Sequence, residues 1–367
     1  MNALHSQKLP LDDTLEQHLN NCLTCRACEA SCPSGVKYGY LIDKTRQHIN
    51  SNQAQTKDAG RFALRHILSR RSRLRFIGFF LWLYQIIGLR KLGQILHVFS
   101  RSQRLKRLDE FLPKAQLPGH WKTYYKPQAK HKKDIALFLG CATENLDPNT
   151  LRASIKLLTH LGYGVHIPKT QNCCGALPQH NGEHSIAITW MKNNAETFTS
   201  QRYTEVISVA TGCTSMLSEY NEHMEQKITW QSLDIMDFLI RENALANAQF
   251  TPLEQVIAVH NPCSMTNVLK LKQTTQQLLA YIPRIQLHDL ESNNICCGAA
   301  GSYMLSHPEM ADRLRSQKLN DIREIAPDII VSTNIGCALH ISAGLRKEHK
   351  PLAVIHPIEL LARQLSS

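Results

Sequence analysis

From residue 134 onward the apolar positions fall into short runs that recur. Residues 134–139 (DIALFL), 205–210 (EVISVA), 255–260 (QVIAVH) and 328–333 (DIIVST) are too continuously apolar for a half-exposed strand. They read as strands buried on both faces. Between them, residues 149–161 and 310–325 repeat apolar positions three and four apart, which predicts amphipathic helices. The exits correspond too, as LDIMDFL (233–239) and HPIELLA (356–362). Strand and helix therefore alternate twice, and the expected architecture is two duplicated three-layer α/β units with mainly parallel strands.

A different pattern lies upstream. Residues 76–89 (FIGFFLWLYQIIGL) carry no charge, and are flanked by Arg70, Arg71, Arg73 and Arg75 on one side and by Arg90 and Lys91 on the other. A membrane-crossing helix needs about 20 apolar residues, so this run is too short to cross. It fits a helix lying at a membrane surface, aromatic rings among the headgroups and cations toward anionic lipid. It equally fits a helical hairpin covered by the other domains or by a partner subunit.

Charge sharpens that picture. The chain of 367 residues has a formal net charge of +12. Residues 61–133 hold 18 Lys and Arg against two acids, a local +16 that leaves −4 for the rest. The excess belongs to the segment with the apolar run, which argues against a nucleic-acid arm. Ordinary globular composition excludes a disordered, fibrous or multi-span membrane chain. The opening MNALHSQKLPLDD lacks a basic start and an apolar core, so no cleaved leader is expected. The twelve cysteines are then expected in a reducing cytoplasm, where such a set binds metal or does redox chemistry.

Their spacing is informative. Cys22, Cys25, Cys28 and Cys32 form C-x2-C-x2-C-x3-C-P, ending at Pro33. Thiolates at this spacing curl the backbone around a corner of a [4Fe-4S] cube, and a zinc knuckle would show two separated pairs instead. In two-cluster ferredoxins the cysteine before proline ligates the other cube. Cys32 therefore either closes its own cube or reaches toward a second, for which the chain has no matching run. The duplicated half carries Cys141, Cys173, Cys174 and Cys213 in one copy and Cys263, Cys296, Cys297 and Cys337 in the other. From first cysteine to pair is 32 and 33 residues, and from pair to last 39 and 40. Each pair is followed by glycine, giving two CCG loops. With every cysteine at a strand end or in such a loop, four sulfurs gather at the C-terminal edge of each sheet. A sulfur-ligated cluster or a redox-active thiol site is expected there, rather than buried free cysteines.

No GxGxxG after a strand, GxxxxGK[ST], HExxH or GxSxG occurs. None of the 18 histidines stands out as a base. A chain with metal–sulfur sites and no seat for an organic cofactor is expected to receive its electrons from a flavin on another polypeptide.

The cysteine run followed by two CCG units resembles the iron–sulfur subunit family of bacterial glycolate oxidase. The wider set includes lactate-utilisation proteins, the anaerobic glycerol-3-phosphate dehydrogenase anchor protein and the CCG-containing component of heterodisulfide reductase. The likeness covers nearly the whole chain and is closest over 11–49 (LDDTLEQHLNNCLTCRACEASCPSGVKYGYLIDKTRQHI). It implies that Cys22, Cys25, Cys28 and Cys32 match cubane ligands. It implies an electron-transfer subunit of a 2-hydroxy-acid (glycolate) dehydrogenase complex, taking electrons from an FAD-containing subunit toward membrane quinone. The chain alone is not expected to be a dehydrogenase.

Two departures accompany the resemblance. The family carries an earlier CxxCxxCxxxCP run. A truncated gene model, a single-cluster variant or a partner supplying the other half would each account for its absence. The longer heterodisulfide form ends each unit in CxxC, whereas Cys213 is followed by Thr214-Ser215-Met216 and Cys337 by Ala338-Leu339-His340. A disulfide reductase of that type is the rival reading, and a structural zinc protein a third.

The expected division is a small helical ferredoxin-like cluster domain over 1–60, a basic docking segment over 61–133, and CCG units over 134–247 and 252–367. The expected location is the inner face of the cell membrane, as a peripheral protein.

Overall fold

Two sheets, one from each copy of the repeat, form the body of the protein. The computed structural model describes residues 10–52, 71–97 and 102–366, with Met1, Leu4, Ser6 and Lys8. Arg70 and the remainder of 53–70, all assigned above to the cluster domain or the basic segment, lie outside the described residues, as do 98–101.

The first sheet contains β1 (Tyr124–Tyr125), β2 (Lys133–Phe138), β3 (Tyr163–His166), β4 (Glu205–Ser208) and β5 (Gln231–Asp234), in the order β1-β3-β2-β4-β5. The second contains β6 (Val256–His260), β7 (Gln286–Asp289), β8 (Ile329–Ser332) and β9 (Ala353–Ile355), in the order β7-β6-β8-β9. Apart from β1, which runs antiparallel to β3, every pairing is parallel, as the sequence pattern predicts. Without β1 the two orders coincide strand by strand. Even the strand ends match, with Phe138 opposite Ser208 and His260 opposite Ser332.

Alternation along the buried strands sends side chains to both faces. Ile135, Leu137, Val165 and Ile207 enter one core, while Ala136, Phe138 and Val206 meet Trp190, Met191 and Phe198 in another. In the second sheet, Ile257, Val259 and Val331 enter the same core as Ile135, whereas Ala258 and Ile330 pack with Leu319 and Ile341. The two units thus share one core.

Helices Pro148–His160, Ile235–Arg241, Thr274–Leu279 and Pro357–Gln364 fill the space between the sheets. The first packs on the last, and the middle two pack on each other, so each unit's exit helix leans on the other unit's entry helix. These starts are chemically marked: Asp234 accepts from the Met236 N–H at 2.9 Å and His356 Nδ1 from the Ile358 N–H at 3.1 Å. Leu157, Leu158, Leu360 and Leu361 are buried at the first of these junctions. Truncating one to alanine should cost about 2–5 kcal/mol.

The N-terminal part is small and helical. Asp12 caps helix Asp13–Asn20 through the Leu15 N–H at 2.7 Å, and that helix packs on Tyr38–Asn52 through Leu19, Ile42 and Ile49. It is fastened to both units. Arg46 Nη1 donates to the His180 carbonyl at 2.9 Å, Asn50 to the Asn181 carbonyl at 2.7 Å, and Asn267 of the second unit to the Cys25 carbonyl at 2.8 Å.

The basic segment forms helix Arg71–Ile86, then Leu89–Ile95 bent from it by 64°, then Gln103–Phe111. Ion pairs from Arg71 to Glu144 and from Arg107 to Asp312 tie it to both units. Its apolar face stays open: Phe76, Phe79, Phe80, Ile86, Ile87 and Leu92 are all exposed. No single helix among the described residues is long and apolar enough to cross a membrane.

Candidate metal centres

Each of the two CCG cysteine sets lies at the C-terminal ends of parallel strands. Cys141 opens helix Cys141–Leu146, reached from β2 through Gly140. Cys173 and Cys174 occupy the loop after β3, and Cys213 lies in the first turn of helix Thr211–Ser218 after β4. Cys263 stands at the head of the single π-helical turn Ser264–Val268 after β6. Cys296 and Cys297 follow β7, and Cys337 lies in the first turn of helix Ile335–Lys347 after β8. Both sets sit where the strand order reverses, the usual ligand seat of such sheets.

The sulfurs converge. Cys141 Sγ lies 3.5 Å from Cys173 Sγ, and Cys297 Sγ 3.0 Å from Cys337 Sγ. No disulfide forms among them. Cys173, Cys174, Cys296, Cys297 and Cys337 are buried. Contact with Cys173, together with burial, pushes the Cys141 thiol well above its ordinary range. In the second set contact with Cys296, together with burial, pushes the Cys263 and Cys297 thiols up, while those same contacts push Cys296 down, and the Gly298 N–H donates to Cys296 Sγ at 3.4 Å. Buried sulfurs that must share protons are suited to exchanging them for metal.

The glycine after each pair has a structural reason. Gly175 and Gly298 both take left-handed backbone, φ 91° and 89°. A Cβ at 298 would stand 2.6 Å from the Ala311 carbonyl oxygen, and one at 175 would stand 3.3 Å from that of Ala187. Only glycine lets the loop turn this tightly against the following helix.

The third set is Cys22, Cys25, Cys28 and Cys32. Left-handed Thr24 and Arg26 (φ 50° and 59°) wind the chain between the first three cysteines. The Thr24 N–H faces Cys22 Sγ at 3.4 Å. Arg26 fixes the loop, donating to Glu29 at 3.0 Å and pairing with Glu219 of the first unit. Burial pushes the Cys25 thiol up, and Cys296 of the second unit is near enough to add to the effect. The three sets adjoin. Between the two CCG sets the Thr211 N–H donates to the Thr333 carbonyl at 3.1 Å, and the Ser264 hydroxyl donates to Thr211 Oγ1 at 2.9 Å.

One residue escaped the sequence reading. His260 ends β6, and one of its ring nitrogens and the sulfurs of Cys297 and Cys337 all lie within 4.8 Å of one another. Burial keeps this imidazole neutral, its pKa pushed down to about 3. Among 18 scattered histidines nothing marks it. Aligning the two copies on their first cysteine would have, because His260 falls where the first copy has Phe138. The donor chemistry of all three sets, soft sulfur in clusters of four, fits an iron–sulfur centre.

Comparison with known proteins agrees. Residues 135–218 and 257–342 each match the cysteine-rich domain family CCG. The chain is 28% identical over 365 residues to the glycolate oxidase iron–sulfur subunit of Escherichia coli, covering 95% of this chain and 83% of that one. It is also 28% identical to the probable glycolate oxidase iron–sulfur subunit of Bacillus subtilis, over 95% of this chain and 82% of that protein. Lactate utilization protein A of Halalkalibacterium halodurans is 26% identical over 63% of this chain and 97% of its own.

Proposed function

We propose, from the premise that this chain belongs to the cysteine-rich CCG domain family, that it is the iron–sulfur subunit of a hydroxy-acid oxidation system, with glycolate as the substrate of the whole complex. It binds iron–sulfur clusters. The observation that carries the electron-transfer reading is the adjacency of the three cysteine sets, since Asn267, in the turn opened by Cys263, bonds the Cys25 carbonyl and the segments leading into the Cys213 and Cys337 helices meet at Thr211 and Thr333.

In this reading a partner subunit holds FAD, oxidises the hydroxy acid and passes electrons one at a time to the centre at Cys22, Cys25, Cys28 and Cys32. The bound clusters supply one-electron storage. The chain's cysteines would hold them, with Cys173, Cys174, Cys296, Cys297 and Cys337 buried and Cys28 exposed. The acid itself is assigned to the partner, whose flavin would take its electrons.

The exposed apolar face of 71–95 supports membrane docking. At its base a cavity of about 380 Å³ is lined by Phe76, Phe79, Trp82, Leu112, Glu144 and Asn145. Asn145 donates to the Cys141 carbonyl at 2.8 Å, which places the cavity one helical turn from the first CCG set. Such a position suits an apolar quinone.

The test mixes the anaerobically reconstituted chain with an FAD-containing glycolate dehydrogenase subunit and adds glycolate. Bleaching of absorbance near 400 nm, dependent on both partner and glycolate, is expected. Clusters that stay oxidised while the flavin is reduced would contradict the reading, as would disulfide turnover by the chain alone.

A further inference from the structure

A duplicated fold allows each position around one centre to be compared with its counterpart around the other. Three residues before the first cysteine stand Phe138 and His260; nineteen before the last stand Asn194 and Lys318. The register is secure, since Phe138 and His260 both end their strands, and Ala187 and Ala311 both back the glycine of the CCG loop. The first centre has neutral neighbours. Phe138 packs in an apolar core, while Asn194 donates to the Cys173 carbonyl at 2.9 Å and accepts from the Asn172 N–H at 2.8 Å. At the second centre both places carry nitrogen bases.

His260 is 1% exposed. Its Nδ1 meets Ser332 Oγ at 3.0 Å across the β6–β8 pairing, whereas Nε2 is buried with no hydrogen-bond partner. A buried ring nitrogen without a partner is uncommon unless something absent from the protein chain occupies it. Metal-bound imidazoles have this arrangement, one nitrogen oriented by a polar neighbour and the other free for the metal. Lys318 is 0% exposed and donates to the Ser292 carbonyl. The acid beside it is Asp321, itself engaged by the Ser292 N–H and hydroxyl, and the sulfurs of Cys296, Cys297 and Cys337 lie near enough to act on its charge. A buried ammonium so placed calls for a negatively charged centre beside it.

We propose that His260 Nε2 is a ligand of the iron centre held by Cys263, Cys296, Cys297 and Cys337, with Lys318 as its buried counter-charge. The second centre is then mixed sulfur–nitrogen and the first all-sulfur. This rests on the iron–sulfur reading above. A neutral nitrogen donor and an adjacent cation both lessen the negative charge that an added electron must join, so the second centre is the more easily reduced of the two. The duplicated sites thereby become unequal, and electrons collect at the second.

The test uses the full chain reconstituted anaerobically with iron and sulfide, reduced with dithionite and examined by pulsed electron paramagnetic resonance. The wild-type protein should show one strongly coupled imidazole nitrogen, which 15N labelling of histidine shifts. His260→Phe, the residue of the first unit, should lose that coupling while keeping its iron. Lys318→Met should keep the coupling but lower the midpoint potential of the second centre. Iron present at the second centre without the strong coupling, or a coupling unchanged in His260→Phe, would overturn the assignment while leaving the iron–sulfur reading intact. A Cys296→Ser/Cys297→Ser double variant that binds as much iron as wild type would overturn both.

Discussion

Replacing Phe76 and Phe80 with serine probes the exposed helix most sharply. Their rings lie 4.5 Å apart on one face of Arg71–Ile86, 65% and 48% exposed, so together they offer about one whole phenylalanine of uncovered surface. Burying a phenylalanine stabilises by about 1.5–3 kcal/mol. If the face docks on a membrane, the double substitution should weaken partition about 10- to 100-fold. Arg71 and Arg90 are engaged by Glu144 and Asp109, so of the flanking cations an exposed one such as Lys91 would add about 1 kcal/mol on anionic lipid. Co-sedimentation with vesicles containing anionic lipid, at low and at physiological salt, reads both contributions. Wild-type protein should pellet with vesicles, less so at higher salt, and the double variant should remain in the supernatant with an unchanged melting temperature. Equal pelleting of the two proteins would refute the reasoning. So would a wild-type chain that ignores vesicles and uses this face to bind the flavin subunit.

Other expectations follow from local geometry. Gly298→Ala meets both a left-handed φ of 89° and the Ala311 carbonyl at 2.6 Å, whereas Gly35→Ala meets only a φ of 64° in open space. The first should lower the melting temperature clearly more than the second, about 1 kcal/mol of backbone strain being common to both, and should shed iron from the second centre. Cys25→Ser should remove about four iron atoms per chain and leave the CCG sets loaded, measured by iron analysis. The docking of the N-terminal part is pH-dependent through Asp43 and His180, 3.1 Å apart. Burial opposes both charges, yet each partner favours the other's: the histidine is raised and the carboxyl lowered. The raised histidine stabilises below its ordinary value of 6.5, and that contribution is lost as pH rises through the elevated value. The carboxyl's contribution is lost as pH falls through its depressed value. Hydrogen exchange over 10–52 should therefore be slowest at weakly acidic pH, and His180→Asn should abolish the alkaline loosening.

The strands that run into cysteines were legible because they are continuously apolar and because the cysteine spacing repeats. The strands in between were not. Tyr163–His166 reads YGVH, and Gln286–Asp289 reads QLHD and is largely exposed; neither has a run to betray it. The shared core also lay beyond reach, because the apolar stripes of 149–161 and 356–362 announce a buried face but not that each covers the other. At the candidate sites, all twelve cysteines could be singled out from spacing. His260 and Lys318 could not, because their meaning is a difference between copies at places that spacing does not mark. The basic segment shows the reverse. Its apolar run was plain, and only the structure reveals that the face is uncovered among the described residues.

The metal content of the anaerobically purified chain is the most direct test of the iron–sulfur reading. Three sulfur-ligated centres predict about twelve iron atoms and as many acid-labile sulfides per chain. Near-zero iron after careful reconstitution, with zinc in its place, would contradict it.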